Sequence, residues 1–273
     1  ITGIATRACY DTGFNVTTHD TSTVRMEPSG TVTVTTSITS QGQGQETTFA
    51  QVAADALGVA LEDVTVKTAS STDTTTYGMG TWGSRGAVLG AGSIMRAADP
   101  IRQKLLRTAA LMLEVAVEDL VLENGTVSVS GAPDRSLSVG ELAGAIYFAV
   151  EVRPADMDPT LEATSTYDGE KLTYSNGAHA AIVDVDPGTG LVNVEKVIVV
   201  EDCGTVINPM IVEGQLRGGV AQAIGGVFLE HMAYDEQGQL LSTTFLDYLL
   251  PTAMDVPDVE IIHLETPSAT SPG

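Results

Sequence analysis

The stretch "SQGQGQETTFAQVAADALG" carries the residues best suited to chemistry. Gln41, Gly42, Gln43, Gly44 and Gln45 alternate directly ahead of an apolar-periodic segment. A helix N-terminus presents unpaired N–H groups and a partial positive charge. Glycines in front of it allow a ligand to approach the backbone, a geometry that favours anions. The glutamines add something different, because a neutral amide carries donors and an acceptor together. That suits a heterocycle edge or an oxo group. The plainer alternative is a solvated polar loop, since a lone GxG is a weak motif and neither GxGxxG nor a P-loop is present. A second Gly-rich loop, "SSTDTTTYGMGTWGSR", holds the sole tryptophan, Trp82, followed by Gly83, Ser84 and Arg85. Arg85 has the fork geometry to grip a phosphate or carboxylate; its plainer role is a surface ion pair. Two such loops in one half of the chain suggest two walls of one ligand site.

Further along, Gly214, Gly218, Gly219, Gly225 and Gly226 lie in an apolar helical run that also contains Gln222. Glycine in a helix costs roughly 1 kcal/mol relative to alanine. Close packing of backbone against a neighbour is the simplest reason for so many. Gln222 stands out, because an amide buried in such a run needs partners. No Ser-His-Asp spacing, CxxC, HExxH or Cys/His pair is present. Asp73, Asp202, Glu213 and Glu230 read as structural, and Cys9 and Cys203 as buried thiols.

The elements that must position these loops follow from periodicity. "TVRMEPSGTVTVTTSIT" alternates as two strands about Pro28-Ser29-Gly30. Thr47–Leu57 has helical spacing, with Gly58 suited to end it. "LEDVTVKTA" reads as a strand. Residues 85–113 read as helix, with a break or a second start at Pro100. "LVLENGTVSVSG" is a hairpin on Asn124-Gly125, and "SVGELAGAIYFAV" is a helix. Acidic residues and prolines between Glu151 and Pro159 suggest a linker. Beyond it, "HAAIVDVDPGTGLVNVEKVIVVED" is a second hairpin, followed by a loop and a helix from about Met210 to His231. "YDEQGQLLSTTFLDY" and "VEIIHLETP" read as later strands. Hairpins mixed with helices argue an α+β fold. The division expected is a first lobe over 1–150, a linker over 151–166 and a second lobe over 167–273. The two lobes share an order of parts, which suggests a duplicated unit.

The formal charge is −22, from 13 basic and 35 acidic residues. That field disfavours nucleic acid and anionic lipid as partners. No run of eighteen apolar residues suggests a membrane span. The N-terminal residues lack signal-peptide features, and two cysteines fit a reducing cytoplasm.

Together, "GQGQETTFAQVAADALGV", "STDTTTYGMGTWGSRGAVLGAG", "AAIVDVDPGTGLVNV", "VEDCGTVINPMIVEGQLRGGVAQAIGGVFLEHMAYDEQGQLL" and "HLETPSATSPG" resemble the molybdenum hydroxylases. These are the xanthine dehydrogenases, aldehyde oxidases and the large subunit of aerobic carbon monoxide dehydrogenase. The five stretches occur in family order and span nearly the whole chain. The resemblance implies the two-lobed molybdopterin-binding region of the large subunit. It implies that Gln43 reaches the molybdenum centre, with Gly42 and Gly44 in its loop. Gly83, Ser84 and Arg85 would form a second cofactor loop, and Gln222 would contact the cofactor from the other lobe, with Ala223 where the family has glycine. The metal would be held by the pterin's own sulfurs, the pterin being bound as such or as its cytosine dinucleotide. An aldehyde, an N-heterocycle or CO would be oxidised with water as oxygen source. Electrons would pass to iron–sulfur clusters and FAD on partner subunits or domains of an oligomeric assembly. The family's catalytic glutamate would lie beyond Gly273, so this stretch by itself is expected to be inactive. A non-catalytic module binding a phosphorylated or heterocyclic ligand is the competing expectation.

Overall fold

The computed structural model describes residues 19–69, 77–169 and 173–269. Cys9, Asp73 and the first part of the second Gly-rich loop lie outside them. The chain divides into two compact units, Ile1–Tyr174 with Pro267–Gly273, and Ser175–Thr266.

The first unit is built on a hairpin. Strands β1 (Asp20–Met26) and β2 (Val32–Thr36) pair antiparallel across a turn with Gly30 at φ 89°. Alternation sends Val24, Met26, Val32 and Val34 into the core. Helix α1 (Gln45–Leu57) follows and buries Phe49, Ala50, Ala53, Ala54 and Leu57. It stops at Gly58, left-handed at φ 64°, whose N–H reaches the Ala54 carbonyl. Strand β3 (Val64–Thr68) then returns parallel to β2.

A π-helical turn over Gly86–Gly90 leads into α2 (Ala91–Leu113). Its glycines are contact points: a Cβ on Gly90 would stand 2.3 Å from Phe49, and one on Gly92 2.6 Å from Tyr167. The expected break at Pro100 does not occur, because α2 runs through it. Asp99 and Pro100 face solvent, while Ala97, Ala98 and Ile101 are sealed in the core. Burial on both sides of the proline offsets its lost hydrogen bond. Strands β4 (Leu120–Glu123) and β5 (Thr126–Val129) form the expected hairpin, with Asn124 and Gly125 both left-handed. A third strand, β6 (Ala132–Ser138), completes this sheet. Helix α3 (Val139–Phe148) starts from a reciprocal cap between Ser138 and Glu141.

The stretch expected to link two lobes instead belongs to the first unit. Lys104 and Arg107 of α2 pin it through Asp158 and Asp156. Its end forms β7 (Glu162–Tyr167), antiparallel to β1. The first sheet thus has the order β3-β2-β1-β7. Charge and proline suggest a linker at 151–166, but its threonines pair across the strands, Thr23 with Thr164 and Thr21 with Thr166.

In the second unit, β8 (Asn176–Val185) and β9 (Val192–Asp202) form an antiparallel hairpin. Helix α4 (Pro209–Phe228) follows, and β10 (Asp258–Leu264) runs parallel to β9. Of "YDEQGQLLSTTFLDY", only a bridge between Tyr234 and Leu240 forms. Among the described residues no helix is long and apolar enough to cross a membrane.

Candidate functional site

Two loops, one leaving β2 and one preceding the π-helical turn at Gly86, are tied to each other. Residues 37–44 leave β2 and enter α1. Gly42 and Gly44 are left-handed, at φ 89° and 77°. Gly44 occupies the N-cap position and offers no side-chain cap to the helix. A Cβ on Gly42 would find no atom within 4 Å, so that backbone faces open space. Gln43 is half-buried. Its side-chain amide oxygen, Oε1, accepts the Gln41 N–H at 2.7 Å.

The second loop lies against the first through Thr81. The Thr81 hydroxyl donates to the Thr39 carbonyl. Gln41 Nε2 donates to the Thr81 carbonyl, and Gln45 Nε2 to the Thr81 hydroxyl, each at 3.3 Å. Gln41 is exposed, but Gln45 is 6 % exposed. Flanking the motif, Gln45 reads as solvated in the sequence; the structure makes it a buried fastener between α1 and the second loop. A Cβ on Gly86 would stand 2.5 Å from Gln45 Nε2, so a larger residue there would displace that amide.

Among the described residues of the second loop, Gly80, Gly83 and Ser84 are left-handed, at φ 72°, 58° and 56°. For serine this conformation is costly. Arg85 follows directly and turns inward. Its guanidinium is fully buried, paired with the Asp20 carboxylate, and donates to the carbonyls of Gly80 and His19. The Trp82 ring lies 5.3 Å away. Arg85 is therefore neither a surface ion pair nor an open anion grip. Asp20 also accepts from the Ser37 hydroxyl at 2.7 Å and the Met79 N–H at 3.2 Å. Burial pushes the Asp20 carboxyl up, while Ser37, Arg85 and the Met79 N–H pull it back. Burial likewise lowers the guanidinium pKa, with Asp20 opposing it.

Gln222 lies in the second unit, exposed on α4. It is not the buried amide that the surrounding apolar run suggests. The close packing expected at the α4 glycines is confined to Gly225, whose Cβ would stand 2.9 Å from Pro251. Gly214, Gly218, Gly219 and Gly226 meet no described atom. A cavity of about 430 Å³ lies between α4 and the sheet, lined by His179, Val197, Leu216, Val220 and Ile224 among others. Cys203 is a half-buried free thiol.

Asp20, Gln45 and Thr81 were missed as members of the site. The one signal for Asp20 was that a buried Arg85 requires a carboxylate. Among the described residues no group of three His, Cys, Asp or Glu side chains could hold a metal ion. The donors offered here are amides and backbone N–H groups. They fit a group that brings its own metal ligands and needs hydrogen bonds and position from the protein.

The sequence matches the family described as "Molybdopterin cofactor-binding domain" over residues 2–257. It is 53% identical over 251 residues to the nicotine 6-hydroxylase large subunit of Paenarthrobacter nicotinovorans, covering 92% of this chain and 30% of that protein. It is 38% identical over 257 residues to the carbon monoxide dehydrogenase large chain of Afipia carboxidovorans, covering 94% and 31%. The fold superposes on quinoline 2-oxidoreductase from Pseudomonas putida 86 with a TM-score of 0.92 at 52% identity, covering all of this chain and 35% of that one. The chain thus spans about a third of the length of the relatives it matches.

Proposed function

Since this chain belongs to the molybdopterin cofactor-binding domain family of the molybdenum hydroxylases, we propose that loops 37–44 and 77–85 form one wall of the cofactor site in a molybdenum-dependent oxidoreductase. The observation that carries this reading is the stitching of both loops through Thr81 beside an uncapped helix start. Gly42 and Gly44 present backbone to the cofactor, and the α1 N–H groups favour its anionic portions. The Gln43 carbonyl end is engaged by Gln41, which leaves its NH₂ to donate toward the metal centre. Gly83 and Ser84 contribute through their backbone. Arg85 acts from below, as the root of its loop. Gln222, exposed on α4, is assigned to the cofactor by the family resemblance alone. When bound, the molybdenum pterin, as such or as its cytosine dinucleotide, supplies the two-electron chemistry.

The substrate class we assign is an N-heterocycle, hydroxylated with water as oxygen source. Two relatives above half identity are named for nicotine and quinoline, whereas the carbon monoxide enzyme stands at 38%. Turnover requires the remainder of a large subunit, together with iron–sulfur and FAD partners, in the cytoplasm. A non-catalytic ligand-binding module is not favoured by the family match.

The test is metal and pterin analysis of the full-length protein from a molybdenum-replete host, with assays on quinoline, a pyridine and CO. Stoichiometric molybdenum and heterocycle hydroxylation are expected; a protein without molybdenum or pterin ends the proposal. Gln43→Ala is expected to lower turnover at least tenfold with little change in unfolding midpoint. Gln45→Ala, in contrast, should lower the midpoint, because it empties a buried site. Similar effects of both substitutions on turnover at equal stability would contradict the assignment.

A further inference from the structure

The Asp20–Arg85 pair calls for an explanation beyond packing. Taking two charges out of water is costly, and apolar residues of similar volume often serve stability as well or better. Its placement gives the reason. Asp20 opens β1, a strand held on both sides by β2 and β7. Its carboxylate accepts the Met79 N–H at one end of the segment 80–84 and pairs with the Arg85 guanidinium at the other. Arg85 in turn donates to the Gly80 carbonyl. Between these two anchors stand the left-handed residues Gly80, Gly83 and Ser84. Glycine takes that conformation freely, but at Ser84 it persists only where its surroundings over-determine it.

We propose that Asp20 is a positioning residue, clamping both ends of segment 80–84 so that Gly83 and Ser84 are held in the conformation that meets the cofactor. Ser37 completes the clamp, orienting the carboxylate by its 2.7 Å hydrogen bond. Gly78 admits the carboxylate and the Ser37 hydroxyl, since a Cβ there would lie 2.2 and 2.1 Å from them. The role in cofactor binding rests on the function proposed above; the clamp itself does not.

The experiment compares full-length wild type with Asp20→Asn and with the double variant Asp20→Leu/Arg85→Met. The double variant keeps the volume and removes the charges. Amide hydrogen exchange by mass spectrometry is read for residues 77–86, α1 and α2, alongside molybdenum and pterin content. The clamp predicts exchange at 77–86 at least roughly tenfold faster in both variants, with α1 and α2 unchanged. Cofactor content should fall severalfold in the same proteins. Wild-type exchange at 77–86, or an equal acceleration throughout α1 and α2, overturns the clamp. If neither variant folds, Ser37→Ala decides: it keeps the ion pair, and the clamp predicts a roughly threefold acceleration confined to 77–86. No change there overturns it. Faster loop exchange with full cofactor content overturns the role in binding. A wild-type protein without cofactor refutes the proposed function instead, leaving the clamp to the exchange data.

Discussion

Both units fold the same ββαβ frame. In the first, the hairpin β1–β2 is followed by α1 and by β3, parallel to β2. In the second, β8–β9 is followed by α4 and by β10, parallel to β9. The helices nevertheless differ. α1 is sandwiched, with α2 and β3 against it, and buries six of its thirteen residues. α4 has twenty residues and buries Val220 and Gly225. Met210 and Val227 on it are 77 % and 72 % exposed. The entries differ too. α4 begins with Asn208, whose side chain accepts the Ile211 N–H at 3.2 Å, and Pro209 in the first turn. α1 begins with a left-handed glycine and no side-chain cap. Shared topology therefore does not mean shared purpose. The capped start satisfies one of its own first-turn N–H groups with a side chain, while the uncapped start leaves all of its own for something else. In the first unit the glycines lie before or just after the helix and serve loops and close contacts. In the second, Gly214, Gly218, Gly219 and Gly226 lie within the helix and face open space, and Gly225 alone of that run packs closely.

This contrast can be broken most directly in the helix cores. Phe49→Ala should destabilise this chain by about 3–5 kcal/mol in guanidinium unfolding, because it empties a sealed site against Gly90. Leu216→Ala, half-buried on α4, should cost less than half of that. Equal costs would mean that α4 is as well covered as α1. Amide exchange sharpens the point: protected amides of α4 should exchange at least roughly tenfold faster than those of α1. Matching protection would erase the distinction.

Smaller effects separate the two helix starts. Asn208→Ala should cost about 1 kcal/mol by loss of a cap. Gly44→Ala should cost about 1–2 kcal/mol by a different route, forcing a side chain into the left-handed region. Gly44→Asn, which tolerates that region, should recover most of the loss in thermal unfolding, whereas Asn208→Gly should cost only a few tenths.

The smallest effect concerns the strap that keeps 151–166 in the first unit. Lys104 and Thr160 hold the Asp158 carboxyl well below the usual carboxylate range. A depressed folded pKa contributes stability above the unfolded value, roughly pH 4, and loses it as pH falls further toward the folded one. At this exposure, Asp158→Asn should cost only a few tenths of a kcal/mol at pH 7. The difference from wild type should shrink below about pH 4. A constant difference down to pH 2 would show that the ion pair is not its source.

The sequence by itself determined the local pieces. Alternation about Pro28-Ser29-Gly30 marked β1 and β2, "HAAIVDVDPGTGLVNVEKVIVVED" marked the hairpin of β8 and β9, Asn124-Gly125 marked its own, and "SVGELAGAIYFAV" marked α3. These signals act over a few residues and survive any context. The motif stretches likewise carried the family, since five in order are enough without coordinates. What the tertiary structure decided is where polar groups go. Arg85 looked like an open grip, Gln45 like solvent and Gln222 like a buried amide, and each lies in the opposite environment. The threonine-rich stretch 162–167 became a sheet strand because β1 had a free edge for it. Pro100 stayed inside a helix because both its flanks are buried. Burial depends on elements tens of residues away, as Asp20 is from Arg85, and no local pattern of residue types encodes that distance.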